Sequence, residues 1–356
     1  MAIDKLLKNI KNGKLGKNIG ISTGSEKLNK IIYGIQKKYL YTIGADTAGG
    51  KTSFAMDIFV YNLLKHSKNT PISILYYSFE MSADTLFAKI LSRYIYDEFD
   101  EIVTYEDILS LTKPISSEHE LLIQKSEKWL RQISKYIVIY DKSLTPKGVY
   151  ATCKKWLKQH GEFVALGEHK EEYHEKDSSE YKVVLIDHVG LIGGPGSKKE
   201  RIDLTVDFMI YFRNKCDITG VFIQQLNRNQ KSMDRKTNGY ELVQLDDFKD
   251  TSGTTDGSEV VIALYFPYRE KIARCEGYPI QNVLKKKFRL IQVLKNRYGQ
   301  SDVNIGSAFY GEISMFRDLP KPEEIGDYEP YLNLDYNKKK IQEKKENDKE
   351  KNVFML

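Results

Sequence analysis

At 356 residues the chain can hold one large domain or two small ones, and either can bury a substantial core. Its 41% hydrophobic and 29% charged residues exclude a low-complexity or fibrous chain and describe a globular one. No apolar run approaches the ~20 residues needed to span a bilayer, and the lysine-dotted opening MAIDKLLKNIKNGKLG lacks the apolar stretch of a signal peptide, so a cytoplasmic protein without membrane attachment is expected.

Cys153, Cys216 and Cys275 have no metal-ligand spacing and cannot all pair, which suits a reducing compartment and buried roles. The net charge of +6 is weak evidence of a polyanionic partner, and its distribution says more. Residues 1–40 carry nine lysines against Asp4 and Glu26, whereas residues 161–180 carry seven acids against two lysines. Either block can equally be a solvated surface.

In chain order, Ile3, Leu6, Leu7 and Ile10 fall at helical spacing and predict a short amphipathic helix within residues 1–17. A turn-rich joint comes next, and from Tyr39 the pattern becomes a β/α alternation. YLYTIGA reads as a strand, KTSFAMDIFVYNLLKHS as a helix, ISILYYSF as a strand and SADTLFAKILSRYIYDEF as a helix. After a less regular helical stretch come YIVIYD (strand) and TPKGVYATCKKWLKQH (helix). The polar segment 161–180 looks like an acidic surface insertion. Beyond it KVVLID reads as a strand, LTVDFMIYFRNKC as a helix and GVFIQQL as a strand, then VVIALYF and FRLIQVLKN as strands and SAFYGEISMFRDL as a closing hairpin. Near-continuous apolar strands separated by helices predict an α/β fold with a mostly parallel sheet covered on both faces. The main domain is placed at 18–320. The charged tail, 321–356, is expected to be disordered or a lone helix, and it ends in the apolar VFML, which is either a docking peptide or ordinary terminal apolarity.

Between the first strand and helix lies ADTAGGKTS, a P-loop of the form A-x-x-x-x-G-K-T with alanine in place of the first glycine. Ala45, Asp46, Thr47, Ala48, Gly49, Gly50, Lys51, Thr52 and Ser53 are its candidate ATP-binding residues. Glycines let backbone N–H groups turn in on phosphate oxygens, Lys51 can reach the β- and γ-phosphates, and the Thr52 hydroxyl can hold Mg²⁺. The bland alternative is a glycine-rich turn with a chance GKT. Asp187, ending KVVLID, is the candidate second metal-organising residue, or else a loop acid. Glu80, ending YYSFE, is the candidate base that orients attacking water, and Gln225, from FIQQLNR, the candidate γ-phosphate sensor. For Glu80 the alternative is an acid at a helix N-terminus.

YYSFEMS beside a P-loop, then VVLIDHVGLI, QQLNR and LKNRYG, resembles the DnaB-type replicative helicases in order and rough spacing, over about residues 18–320. The resemblance implies a RecA-like P-loop NTPase fold, ATP and Mg²⁺ as ligands, a homo-hexameric ring and 5′ to 3′ movement on single-stranded DNA. It makes Glu80 the catalytic glutamate, and Lys295 and Arg297 the pair that reaches the neighbouring subunit's nucleotide. By themselves these two would be surface charges near a strand end. Family members hold the DNA backbone through two loops, matched here by GGPGSKKER, with Lys198, Lys199 and Arg201, and by the stretch from Arg228 through FKDTSG, with Lys249, Asp250, Ser252 and Gly253. These are flexible cationic turns suited to phosphates. With Phe248 the main aromatic, base stacking is not expected.

Departures from the family pattern are His188 where tyrosine is typical, the 161–180 insertion, and no counterpart to the N-terminal primase-binding domain. A phage- or plasmid-type member is therefore expected, with the N-terminal helix packing on a neighbouring subunit or within its own. Primase, a loader or another replisome protein are candidate partners through that helix or the tail. The competing function is a RecA-like recombinase or clock-type ATPase that binds DNA without processive unwinding.

Overall fold

The computed structural model describes residues 2–16, 18–167, 171–227 and 242–335. Its strands are β1 (Leu40–Ala45), β2 (Ile72–Ser78), β3 (Ile137–Tyr140), β4 (Gly161–Ala165), β5 (Glu171–Glu175), β6 (Tyr181–Asp187) and β7 (Thr219–Gln225). They continue as β8 (Val260–Tyr265), β9 (Arg274–Cys275), β10 (Tyr278–Pro279), β11 (Phe288–Asn296), β12 (Val303–Tyr310) and β13 (Met315–Asp318). The helices begin with α1 (Ala2–Lys14), α2 (Glu26–Ile32) and α3 (Lys51–Met56), which runs through a π-helical turn, Asp57–Tyr61, into α4 (Asn62–Lys65). Then come α5 (Ala83–Phe99), α6 (Tyr105–Ile108), α7 (Ser117–Ile133), α8 (Pro146–His160) and α9 (Lys198–Cys216).

Nine strands form one sheet in the order β13-β12-β11-β8-β1-β7-β6-β2-β3. The six from β8 to β3 are parallel, and β11, β12 and β13 extend the β8 edge antiparallel. Every residue of β1 and β8 is buried, the signature of a strand covered on both faces. On one face Phe54, Phe59 and Leu63 of the α3–α4 rod, with Leu86 and Ile90 of α5, pack against Ile43, Tyr76 and Ile223. On the other, Val149 and Trp156 of α8 and Met209 and Phe212 of α9 cover Leu75, Ile186 and Phe222. Neighbouring residues of one strand point to opposite faces, so Leu75 and Tyr76 serve different layers.

The α1 helix forms as expected, and Ile3, Leu6, Leu7 and Ile10 are all more than half exposed. The three cysteines are free and buried. No described helix is long and apolar enough to cross a membrane.

Two boundaries differ from expectation. The 161–180 segment is an ordered antiparallel hairpin, β4–β5, and its acids are largely consumed inside the molecule. Glu171 takes Lys154 at 2.8 Å and the Tyr211 hydroxyl, Glu175 takes Lys182 at 2.9 Å, and Glu180 takes His160 at 3.0 Å. Charge counting alone cannot show that the neutralising partners lie on α8, α9 and β6. Past residue 320 the chain stays packed as far as Asp335. Arg317 sits over the Tyr331 ring, and the Tyr310 hydroxyl donates to the Tyr331 carbonyl at 2.8 Å. Leu332 and Leu334 join the apolar cluster beneath β11 and β12. Residues 336–356, including VFML, lie outside the described residues.

Candidate active site

Strand register lines up the chemistry. Ala45 pairs with Gln225 across β1 and β7, Ile223 with Asp187 across β7 and β6, and Asp187 with Ser78 across β6 and β2. Four neighbouring parallel strands therefore end together, and the loops leaving their carboxyl ends share one crevice.

The P-loop leaves β1 and folds over the start of α3. The Gly49 N–H donates to the Asp46 carbonyl at 2.9 Å, while Ala48 and Gly50 adopt left-handed backbone angles. Alanine at the first P-loop position is accommodated because its Cβ lies against Gly49, where an added Cβ would sit 2.8 Å away. The missing glycine thus has its compensation four residues on. Ser53 faces the turn before β13, with its hydroxyl 3.4 Å from that of Ser314.

Glu80 is less buried than its place after an apolar strand suggests. β2 stops at Ser78, whose hydroxyl donates to the Met81 carbonyl at 2.6 Å and turns the chain. Glu80 is left at the crevice mouth, its side chain 32% exposed, with Oε2 3.3 Å from Lys51 Nζ. Asp187 is the buried acid. Tyr76 donates to its Oδ2 at 3.1 Å, and its Oδ1 has no hydrogen-bond partner among the described residues. Burial raises its pKa to about 6, and the Thr52 hydroxyl and Lys51 charge oppose that rise. An orphaned, desolvated carboxylate oxygen beside a threonine hydroxyl fits a hard divalent cation, which prefers oxygen donors.

His188 adds a feature that its neighbours in sequence do not announce. Gly190 donates its N–H to Nδ1 at 3.0 Å, and burial lowers the imidazole pKa to about 4. The ring is therefore neutral near pH 7 with its proton on Nε2, which lies 4.0 Å from Glu80 Oε1. Glu80 stands between a lysine and an imidazole N–H.

Gln225 reaches the P-loop, donating from Nε2 to the Thr47 hydroxyl at 2.7 Å. Its neighbour Gln224 points the other way, buried, and accepts from Thr254 at 2.7 Å. Two arginines at the P-loop belong to none of the motifs. Arg269 donates to the Thr47 carbonyl, and Arg289 to those of Ala48 and Gly49. The one sequence signal for Arg289 is an arginine inside an otherwise apolar strand.

Lys295 and Arg297 are not part of this crevice. β11 runs antiparallel to β8, so its end lies beside Val260 and Val261, at the opposite edge of the sheet from the P-loop. The six residues of β1 separate the two edges by roughly 20 Å. Arg297 is 3.2 Å from Glu259, which also holds Arg213 at 2.6 Å and accepts from Leu40 N–H at 2.7 Å. Lys295 donates to the Thr255 carbonyl at 2.7 Å.

The expected DNA loops are more structured than their composition implied. Lys198 and Lys199 are exposed on the first turn of α9, which Ser197 caps. Arg201 is not a free cation of that loop. Its guanidinium folds back onto the carbonyls of Ile192 (2.8 Å), Gly194 (3.3 Å) and Gly196 (2.5 Å), because a glycine turn leaves backbone acceptors unsatisfied. Arg228 lies outside the described residues. Lys249 and Asp250 fall on a 3₁₀ helix, Leu245–Thr251, and Ser252 opens the short helix Ser252–Gly257. Gly253 abuts α9, where a Cβ would come 2.5 Å from Asp203 Oδ1. Phe248 is buried, and a Cβ on Gly44 would come 2.3 Å from its ring, so it anchors the segment.

Residues 20–166 match the family described as the DnaB-like helicase C-terminal domain, and the match ends at the β4–β5 hairpin. No curated protein matches the chain in sequence. Among solved structures, the ATPase domain of a phage helicase superposes with a TM-score of 0.66 at 17% identity, over 89% of this chain and 99% of that one. A DnaB-like replicative helicase, solved in a study of its interactions with primase, gives 0.64 at 16% identity over 85% of this chain. This chain spans 64% of that protein. The chain thus carries a DnaB-like helicase C-terminal domain on a RecA-like α/β fold.

Proposed function

We propose that this protein is an ATP-driven replicative DNA helicase that works as a homo-hexameric ring and moves 5′ to 3′ on single-stranded DNA. The observation that carries the reading is the split of the chemistry across the sheet. Lys51, Thr52, Glu80, Asp187 and Gln225 meet at one edge, and Lys295 and Arg297 stand at the other. A single copy cannot bring its own arginine to its own nucleotide, but a neighbouring copy can. The exposed apolar face of α1 suits the same assembly by packing on the next subunit.

In this reading the P-loop amides and Lys51 bind the phosphates. Asp187 and Thr52 hold Mg²⁺, which bridges phosphate oxygens and neutralises the charge that builds on them. Phosphate binding draws Lys51 away from Glu80, freeing that carboxylate to accept a proton from the attacking water. The His188 Nε2–H keeps Glu80 oriented, and Gln225 passes from Thr47 to the γ-phosphate. Lys198, Lys199 and the 245–257 segment face the DNA backbone, with Arg228, Lys249, Asp250, Ser252 and Gly253 in the same path. Primase or a loader would meet the ring through α1 or the tail. A phage-type origin fits the compact motor.

A forked substrate with defined single-stranded tails tests this directly. Unwinding should require ATP and a 5′ tail, and binding should weaken steeply with salt. ATP hydrolysis with DNA binding but no strand separation on either fork would transfer the protein to the recombinase or clock-type class.

A further inference from the structure

We propose that Arg289 is a positioning residue for nucleotide binding: from behind the P-loop it holds the Ala48 and Gly49 carbonyls away from the phosphate site and so maintains the loop's binding shape. This rests on the ATPase reading above and extends it to a strand far away in sequence.

Arg289 is the second residue of β11 and is 4% exposed. Every guanidinium nitrogen is engaged. Nε donates to the Gly49 carbonyl at 2.8 Å and Nη2 to that of Ala48 at 3.3 Å. Nη1 donates to the Phe288 carbonyl at 2.7 Å and to that of Lys286 at 3.0 Å. The plane lies over Phe266, 3.6 Å from the ring centroid, and 4.8 Å from that of Phe309. No carboxylate pairs with it among the described residues. A buried charge without a counter-ion is costly, and packing alone at this place is served better by leucine or methionine. What the arginine uniquely supplies is a planar fork that meets two successive carbonyls while its faces stack on aromatic rings.

Peptide geometry links that fork to the ligand. In a trans peptide the carbonyl and the following N–H point in opposite directions. Drawing the Gly49 carbonyl backward therefore aims the Gly50 N–H forward, toward the first turn of α3. The left-handed Ala48 and Gly50 give the loop the concave run of amides that binds anions. Ala48 is a non-glycine residue in that conformation, a strain that persists only if its surroundings impose it. Arg269 holds the preceding Thr47 carbonyl, so two arginines fix three consecutive carbonyls.

The test is ATP·Mg²⁺ binding by calorimetry, together with steady-state hydrolysis, on the full chain carrying Arg289→Met, Arg289→Lys or Lys51→Ala. Arg289→Met should weaken ATP binding and raise KM by about tenfold or more, the scale of lost charge-assisted bonds. Its kcat at saturating ATP should stay within about threefold of wild type, because the reacting groups are intact. Arg289→Lys keeps the charge and the stem but not the fork, and should fall between the two. Unchanged affinity in Arg289→Lys and Arg289→Met overturns the proposal, as does a fall in kcat with KM unmoved, the mark of a purely structural role. If Arg289→Met does not fold, Arg289→Lys decides alone, unchanged affinity overturning the proposal. Lys51→Ala separates the two claims. A wild type that binds ATP no better than Lys51→Ala removes the ATPase reading itself, whereas normal wild-type binding with unaffected Arg289 variants removes only this inference.

Discussion

Glu80→Gln is expected to bind ATP and assemble normally while losing turnover by about 10²- to 10⁴-fold, the usual contribution of a positioned general base. The amide preserves volume but cannot accept the water's proton. It also removes the carboxylate 3.3 Å from Lys51, so ATP affinity should hold or tighten, because the ammonium no longer has a competing partner. Single-turnover hydrolysis alongside equilibrium ATP binding measures both effects. Residual hydrolysis within about tenfold of wild type would remove Glu80 from the role of base and leave it a resting partner of Lys51.

Arg297→Ala should produce a loss of comparable or greater size, about 10³- to 10⁵-fold in kcat if the residue is an arginine finger. Little of that loss should come from unfolding. Arg297 is nearly half exposed, and its buried partner Glu259 keeps Arg213 at 2.6 Å and the Leu40 N–H at 2.7 Å. The decisive arm is mixing. A ring built from Arg297→Ala and Lys51→Ala subunits contains interfaces where an intact P-loop meets an intact arginine, so activity should return in part. Each variant alone should stay inactive. Absence of any rescue in mixtures shown to co-assemble would mean that Arg297 does not act across an interface.

The two predictions involve opposite edges of one sheet, and β11 joins them. Its second residue, Arg289, braces the P-loop of its own subunit. Its penultimate residue, Lys295, ties the far edge to the segment expected to face DNA through the Thr255 carbonyl. A nine-residue strand carries both contacts, roughly 30 Å from end to end.

Much of this architecture was legible in one dimension. Strands buried on both faces write themselves as unbroken apolar runs, so β1, β2, β6, β7 and β8 could be placed from sequence, as could the closing β12–β13 hairpin. Because such strands are parallel, the residues just after them are bound to meet at one edge. Glu80, Asp187, Gln225 and the P-loop could therefore be grouped before any coordinates. Local chemistry, the Gly-rich turn ahead of Lys51 and Thr52, identified what that edge is for.

What the tertiary structure alone decided are matters of who meets whom across long separations in sequence. Arg289 lies 240 residues from the Gly49 carbonyl it holds, and nothing local to either position encodes the contact. Arg201 reads as a loop cation, but glycine-rich backbone next to it offers acceptors that a water-exposed fork can satisfy internally. The acids of 161–180 read as a charged surface until Lys154, Lys182 and His160 are found opposite them. Burial periodicity is a property of the chain, whereas partnership between polar groups depends on the register and packing of elements far apart in it. The sequence by itself therefore determined the sheet and its reactive edge, and only the folded molecule decided which charges are free to act there and which hold the site in shape.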